Sequence, residues 1–236
     1  MESSVKTKTN CYVCQFRQNC IFDALEAPAQ KAWNEGRSVL QLKDGQIIYS
    51  ETQKPTGIYV VCRGRAKVYS TDAKGQQMIT WIRHPGELFG HIALFSGTEY
   101  FCNAEAMNAV TLSHIDGRSF TAFLEKFPRT YPLMLRKMAN EIKRIQFKLK
   151  DTAYKPAKAK VASALLTHVS FKSKNTAVPT IHGLKRTEIA EITGLALETV
   201  VRILADLEKK KIIKRETKSL KILDKDTLVK IAHQAH

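Results

Sequence analysis

Residues 184–213 read LKRTEIAEITGLALETVVRILADLEKKKII. A first helix from about Arg186 carries the apolar residues Ile189 and Ile192, Gly194 permits a tight turn, and a second helix from about Leu197 sets Val200, Ile203, Leu204 and Leu207 on one face. Two short helices joined at a glycine form the helix-turn-helix pattern, whose second helix enters the major groove of DNA. On that helix Glu198 and Arg202 stand four residues apart, on one face and opposite the packing residues. An arginine can grip guanine O6 and N7 together, and a glutamate can accept from cytosine N4. Arg186 and Thr199, near helix N-termini, suit phosphate contacts, which position a protein without specifying sequence. Taken alone, the Glu198–Arg202 spacing also describes an ordinary surface ion pair. The surroundings favour DNA: residues 209–223, KKKIIKRETKSLKIL, read as two short strands around a polar turn, a wing beside the helices.

Charge agrees with a polyanionic partner. The 236-residue chain has a net charge of +16, and residues 151–236 carry 17 Lys and Arg against 9 Asp and Glu. Binding by such a surface should weaken steeply with salt. The chain is long enough for one large domain or two modest ones. No apolar run approaches the roughly 20 residues needed to cross a bilayer, and MESSVKTKTN has no apolar signal region. A reducing cytoplasm is therefore the expected compartment, where five cysteines read as thiols or metal ligands before disulfides. No G-x-S-x-G, H-E-x-x-H or P-loop pattern is present, and an enzyme is not expected.

Upstream of the helix pair, DTAYKPAKAK (151–160) looks like a boundary. Before it, Leu135, Met138, Ile142, Ile145 and Leu149 are spaced 3, 4, 3, 4, an a/d seam on one helix spanning about 125–150, with Pro128 and Pro132 suiting its start. Charged flanks around so narrow a seam favour a second helix as its partner, although a helix lying on its own domain also fits. From about 38 to 122 the texture is β: short alternating runs such as GIYVVCRGRAKVYS and QQMITWI, separated by glycines, suggest a barrel or roll.

A roll, a seam helix and a winged helix-turn-helix, in this order, resemble the CRP/FNR family of bacterial transcription regulators. The most specific part is ITGLALETVVRILADLE, which holds the E-T-V-x-R core of the family's recognition helix. The resemblance implies an α+β chain with a sensor segment at 1–30, a β-roll at 31–124, a dimerisation helix and hinge at 125–155, and a winged helix-turn-helix domain at 156–236. It implies a homodimer on palindromic double-stranded DNA at promoters, with RNA polymerase as a further partner and no membrane. Glu198 and Arg202 match the family's base-reading pair. Leu197 replaces the catabolite activator's additional arginine, as in the FNR branch, so a TTGA-type half-site is expected. Val201 stands where FNR has a base-contacting serine, which leaves the outer bases undecided.

The residues that hold the ribose and the cyclic phosphate in cAMP-binding relatives align with His91, Tyr100 and Phe101. A phosphate without its arginine and hydroxyl donor would be buried unpaired, at a cost of roughly several kcal/mol, so no cyclic nucleotide is expected, and His91 reads as a half-exposed loop residue. Cys11, Cys14 and Cys20, in CYVCQFRQNC, resemble FNR's cysteine loop, which with one distant cysteine holds an oxygen-labile [4Fe–4S] cluster; zinc also accepts this spacing, and no metal at all is the third alternative. FNR's fourth cysteine aligns with Ser113. If the chain turns at Met107 and Asn108, Cys102 lies across from Ser113 and becomes the expected fourth thiolate. The other reading makes Cys102 a buried apolar residue and leaves the fourth position to His114 or an outside ligand. Cys62 reads as core or surface. FNR's acidic seam residue aligns with Ile145, so the dimer is expected to outlast loss of any cluster.

Overall fold

Alternating apolar residues build two facing sheets in the N-terminal part of the chain. The computed structural model describes residues 10–169 and 178–234, in two compact units, 1–140 and 141–236. The expected sensor segment is therefore described only from residue 10.

In the first unit, three single 3-10 turns (Cys11–Val13, Arg17–Asn19 and Ile21–Ala24) precede helix α1 (Ala27–Gly36). Strands β1 (Ser38–Leu42), β2 (Ile47–Tyr49), β3 (Gly57–Arg63), β4 (Ala66–Thr71), β5 (Gln77–Arg83) and β6 (Leu88–Phe89) follow, then helix α2 (His91–Ser96), strands β7 (Asn103–Ala106) and β8 (Val110–Asp116), and helix α3 (Gly117–Lys126). The strands form two antiparallel four-stranded sheets, ordered β1-β8-β3-β6 and β2-β7-β4-β5. Between them lies a core that includes Tyr59, Val61, Val68, Phe89, Ala104 and Leu112. Alternation sends Ile58 and Val60 of β3 and Ile115 of β8 to the outer face of the first sheet, where Phe22, Trp33, Phe120 and Phe123 cover them.

Two expectations fail here. The segment around Met107 and Asn108 is not a hairpin turn, because β7 pairs with β2 and β4 whereas β8 pairs with β1 and β3. The chain crosses from one sheet to the other at that point, so Cys102 does not face Ser113. His91 is fully buried at the start of α2, with its ring 6.5 Å from that of Phe95, and is not a half-exposed loop residue.

The seam helix, α4 (Tyr131–Tyr154), begins after a 3-10 turn at Pro128–Thr130, with Pro132 in its first turn, where a missing N–H costs little. It starts later than the expected 125, since α3 occupies the residues before Phe127. In the second unit, α5 (Ala157–Thr167), β9 (Thr180–His182), α6 (Arg186–Thr193), α7 (Leu197–Lys209), β10 (Ile213–Arg215), β11 (Ser219–Ile222) and α8 (Lys225–Ala232) surround a core of Val161, Leu165, Ile189, Val200, Leu204, Leu207, Ile222 and Leu228. The wing is a three-stranded sheet ordered β10-β11-β9. No described helix is long and apolar enough to cross a membrane.

Candidate functional site

The helix pair is assembled from local rules. The Lys185 N–H donates to Glu188 Oε2 at 2.7 Å and caps the start of α6. Gly194, at φ +66°, ends that helix in the left-handed conformation that glycine adopts without strain. Ala196 then precedes α7 in an extended conformation; it has no side-chain acceptor, so the first-turn N–H groups of α7 have no side-chain cap. Val200, Leu204 and Leu207 are fully buried. Each contributes about 1.5–3 kcal/mol by its removal from water, which fixes the helix's rotation. That rotation exposes Leu197, Glu198 and Arg202 and leaves Val201 and Thr199 half-buried; Arg186 is exposed at the start of α6.

Glu198 and Arg202 do not pair with each other or with any other side chain among the described residues. The helix's other acids are engaged: Asp206 meets Lys158 at 2.6 Å and Lys210 at 3.2 Å, and Glu208 accepts from Arg215 Nε at 2.6 Å. Hydrogen bonds from Lys158 and Lys210 hold the Asp206 carboxyl below its ordinary range. The contact from Glu208 ties α7 to β10, and the register Lys214↔Lys221 sets two wing lysines opposite one another.

A second candidate site lies in the first unit. Cys11, Cys14, Cys20, Cys62 and Ser113 line one cavity of about 30 Å³, with Phe22, Trp33 and Val60 among its apolar walls. The 3-10 segment is held there by Phe22, by Gln30 Nε2 donating to the Phe22 carbonyl at 3.1 Å, and by a close approach at Gly86. A Cβ on Gly86 would stand 2.8 Å from the Asn19 carbonyl carbon, and its φ is +91°. The Cys62 Sγ donates to the Val60 carbonyl at 3.8 Å. Burial pushes the Cys20 thiol up to about 12 and the Cys62 thiol up to about 11, Arg37 pulling the latter back down. Both are neutral thiols at pH 7. Ser113 is 3% exposed, and its Oγ has no hydrogen-bond partner among the described residues.

The structure thus brings Cys11, Cys14 and Cys20 together but not Cys102. Cys102 is buried among the residues between the two sheets, beside the Tyr49 hydroxyl. The residue missed is Cys62. Its signal was strand parity: Ile58 and Val60 face outward, and Cys62 continues their set. His114 also points away from the cavity, with its ring 4.7 Å from that of Tyr59 in the inner core. Among the described residues, no three His, Cys, Asp or Glu side chains stand close enough to bind a single metal ion as placed.

The space between the sheets is filled with aromatic rings. Tyr49 and Tyr100 stack at 3.8 Å, Tyr59 and Phe89 at 5.4 Å, and Tyr100 is 3% exposed. Phe101 points to solvent.

Comparison with known proteins identifies both units. Residues 39–127 match the cyclic nucleotide-binding domain family, and residues 159–231 the Crp-like helix-turn-helix domain family, together more than half of the chain. The chain is similar to a CRP-like cAMP-activated global transcriptional regulator of Mycobacterium tuberculosis (24% identity, covering 90% of this chain and 96% of that protein). It is similar at the same level to the fumarate and nitrate reduction regulatory protein of Vibrio cholerae (24% identity, 94% and 90%). Among solved structures, FixK2 from Bradyrhizobium japonicum shares the fold, with a TM-score of 0.75 at 20% identity over 85% of this chain and 99% of that one. A roll followed by a Crp-like helix-turn-helix, in one chain, places this protein in the CRP/FNR family of transcription regulators.

Proposed function

We propose that this chain is a cytoplasmic homodimeric regulator that reads TTGA-like half-sites with Glu198 and Arg202 and senses oxygen, nitric oxide or redox state through a [4Fe–4S] cluster held by its N-terminal cysteines. The observation that carries the DNA half is an exposed carboxylate and guanidinium, one turn apart and unpaired among the described residues, on a helix whose other face is core. Val201 lies at the edge of that face, where it can contribute only apolar contact, and Arg186 and Thr199 serve phosphates. Support for a dimer comes from α4, where Leu135, Ile142, Ile145 and Leu149 are each more than half exposed, with Met138 half-buried between them. An apolar stripe of a/d spacing suits a second copy of the same helix.

For the sensor half, the donor set suits an iron–sulfur group: soft thiols within apolar walls. Such a cluster supplies reactivity toward oxygen and nitric oxide. A cavity of about 30 Å³ has room for about one water. Loading therefore requires the Cys11–Ala24 segment to move outward, and it consists of separate single turns rather than one helix. Against a cyclic nucleotide stand the stacked tyrosines that fill the roll and the absence of an arginine at Tyr100.

Anaerobic purification, followed by an absorption spectrum and an iron assay, tests the sensor half. The expected result is a broad band near 400 nm together with iron; zinc in its place, with no visible band, would overturn the cluster. A gel shift on a TTGA palindrome, at two salt concentrations, tests the DNA half.

A further inference from the structure

We infer that the fourth ligand of this metal–sulfur site is the Cys62 thiolate of β3, taking over from the neighbouring strand the place that Ser113 cannot fill. The inference deepens the cluster reading and depends on it.

Three observations converge on Cys62. It lines the same cavity as Cys11, Cys14 and Cys20, although it lies far from them in the chain. Its position on the outer face follows from β3 itself, whose outward residues Ile58 and Val60 pack under the N-terminal segment. The register between β3 and β8 shifts between Val61 and Arg63, so Cys62 is the extra residue of a β-bulge and is not matched to a residue of β8.

Ser113 explains why the site needs Cys62. Its hydroxyl is a hard donor compared with a thiolate, and iron–sulfur clusters select soft ones. Its Oγ is nonetheless buried in the cavity wall without a hydrogen-bond partner among the described residues. A sulfur coordinated beside it would accept a hydrogen bond from the hydroxyl and satisfy the group. The other donors face elsewhere: Cys102 is buried between the sheets and His114 is stacked on Tyr59. On binding, each of the four thiols releases its proton to solvent, and the iron offsets the resulting negative charge.

The test is anaerobic reconstitution of the full chain with iron and sulfide, measuring iron, sulfide and the 400 nm band for the wild type and the variants C62A, C102A and C62A/S113C. The expected result is about four irons per chain in the wild type and in C102A, loss of most of the band and iron in C62A, and recovery in C62A/S113C, which returns a thiol to the wall one strand away. Wild-type content in C62A would overturn the inference and leave the cluster reading standing. Loss in C62A without recovery in the double variant, or equal loss in C102A, would also overturn it. A wild type that takes up no iron and sulfide would sink both.

Discussion

Among the described residues Arg202 and Glu198 have no side-chain partner, unlike the two acids farther along their helix. Asp206 and Glu208 are tied to Lys158, Lys210 and Arg215, so they build the domain. Truncating the Arg202 side chain therefore removes no hydrogen bond or ion pair among the described residues, and R202A should melt like the wild type. Its cost should fall on binding, about 1–3 kcal/mol per half-site, with discrimination relaxed at one base pair. Gel shifts on half-sites altered one pair at a time check this. A uniform loss at every pair would make Arg202 a phosphate contact instead. Lys214, exposed on the wing, is the contrasting case: K214A should weaken all duplexes alike and flatten the salt dependence.

At the scale of elements, the helix pair was legible because α7 shows both faces in its own periodicity, and Gly194 marks the turn between helices. The helix α4 and its apolar stripe were legible for the same reason. The crossover between β7 and β8 was not. Two short strands with a turn signal between them look alike whether the chain folds back in its own sheet or passes to the facing one. Only long-range pairing, Ala104 with Val68 and Ser113 with Val60, separates the two cases. That single difference turned Cys102 inward and concealed Cys62, whose parity was readable but whose covering segment was not. The seat of that segment can be tested through Gly86, where any side chain meets the Asn19 backbone at a positive φ. G86A should loosen the Cys11–Ala24 turns from the roll, seen as faster proteolysis there and lower metal content after reconstitution. The unit spanning residues 141–236 should be untouched, and its specific DNA contacts retained. A G86A protein with wild-type protection of that segment would show that the contact is easily accommodated.

For the whole molecule, net charge and assembly make separate demands. A charge of +16 ensures that any duplex attracts the chain, so selectivity must come from base contacts that appear as the difference between sites at a given salt. In the proposed dimer, assembly would depend on the α4 seam, where Ile145 is an apolar knob 52% exposed in the single chain. An acidic residue at that position would set like charges against each other across a two-fold interface, making pairing sensitive to anything that offsets them. Ile145 would remove that dependence, because apolar burial is indifferent to the metal state of another segment. The metal-free protein should therefore sediment as a dimer at low micromolar concentration, whereas I145D should sediment as a monomer with an unchanged fold by circular dichroism. If the metal-free wild type is monomeric, the seam is insufficient and assembly is itself the switch. If it is dimeric, metal loss must act on DNA affinity at constant subunit number, and the two states should differ in gel shift but not in sedimentation.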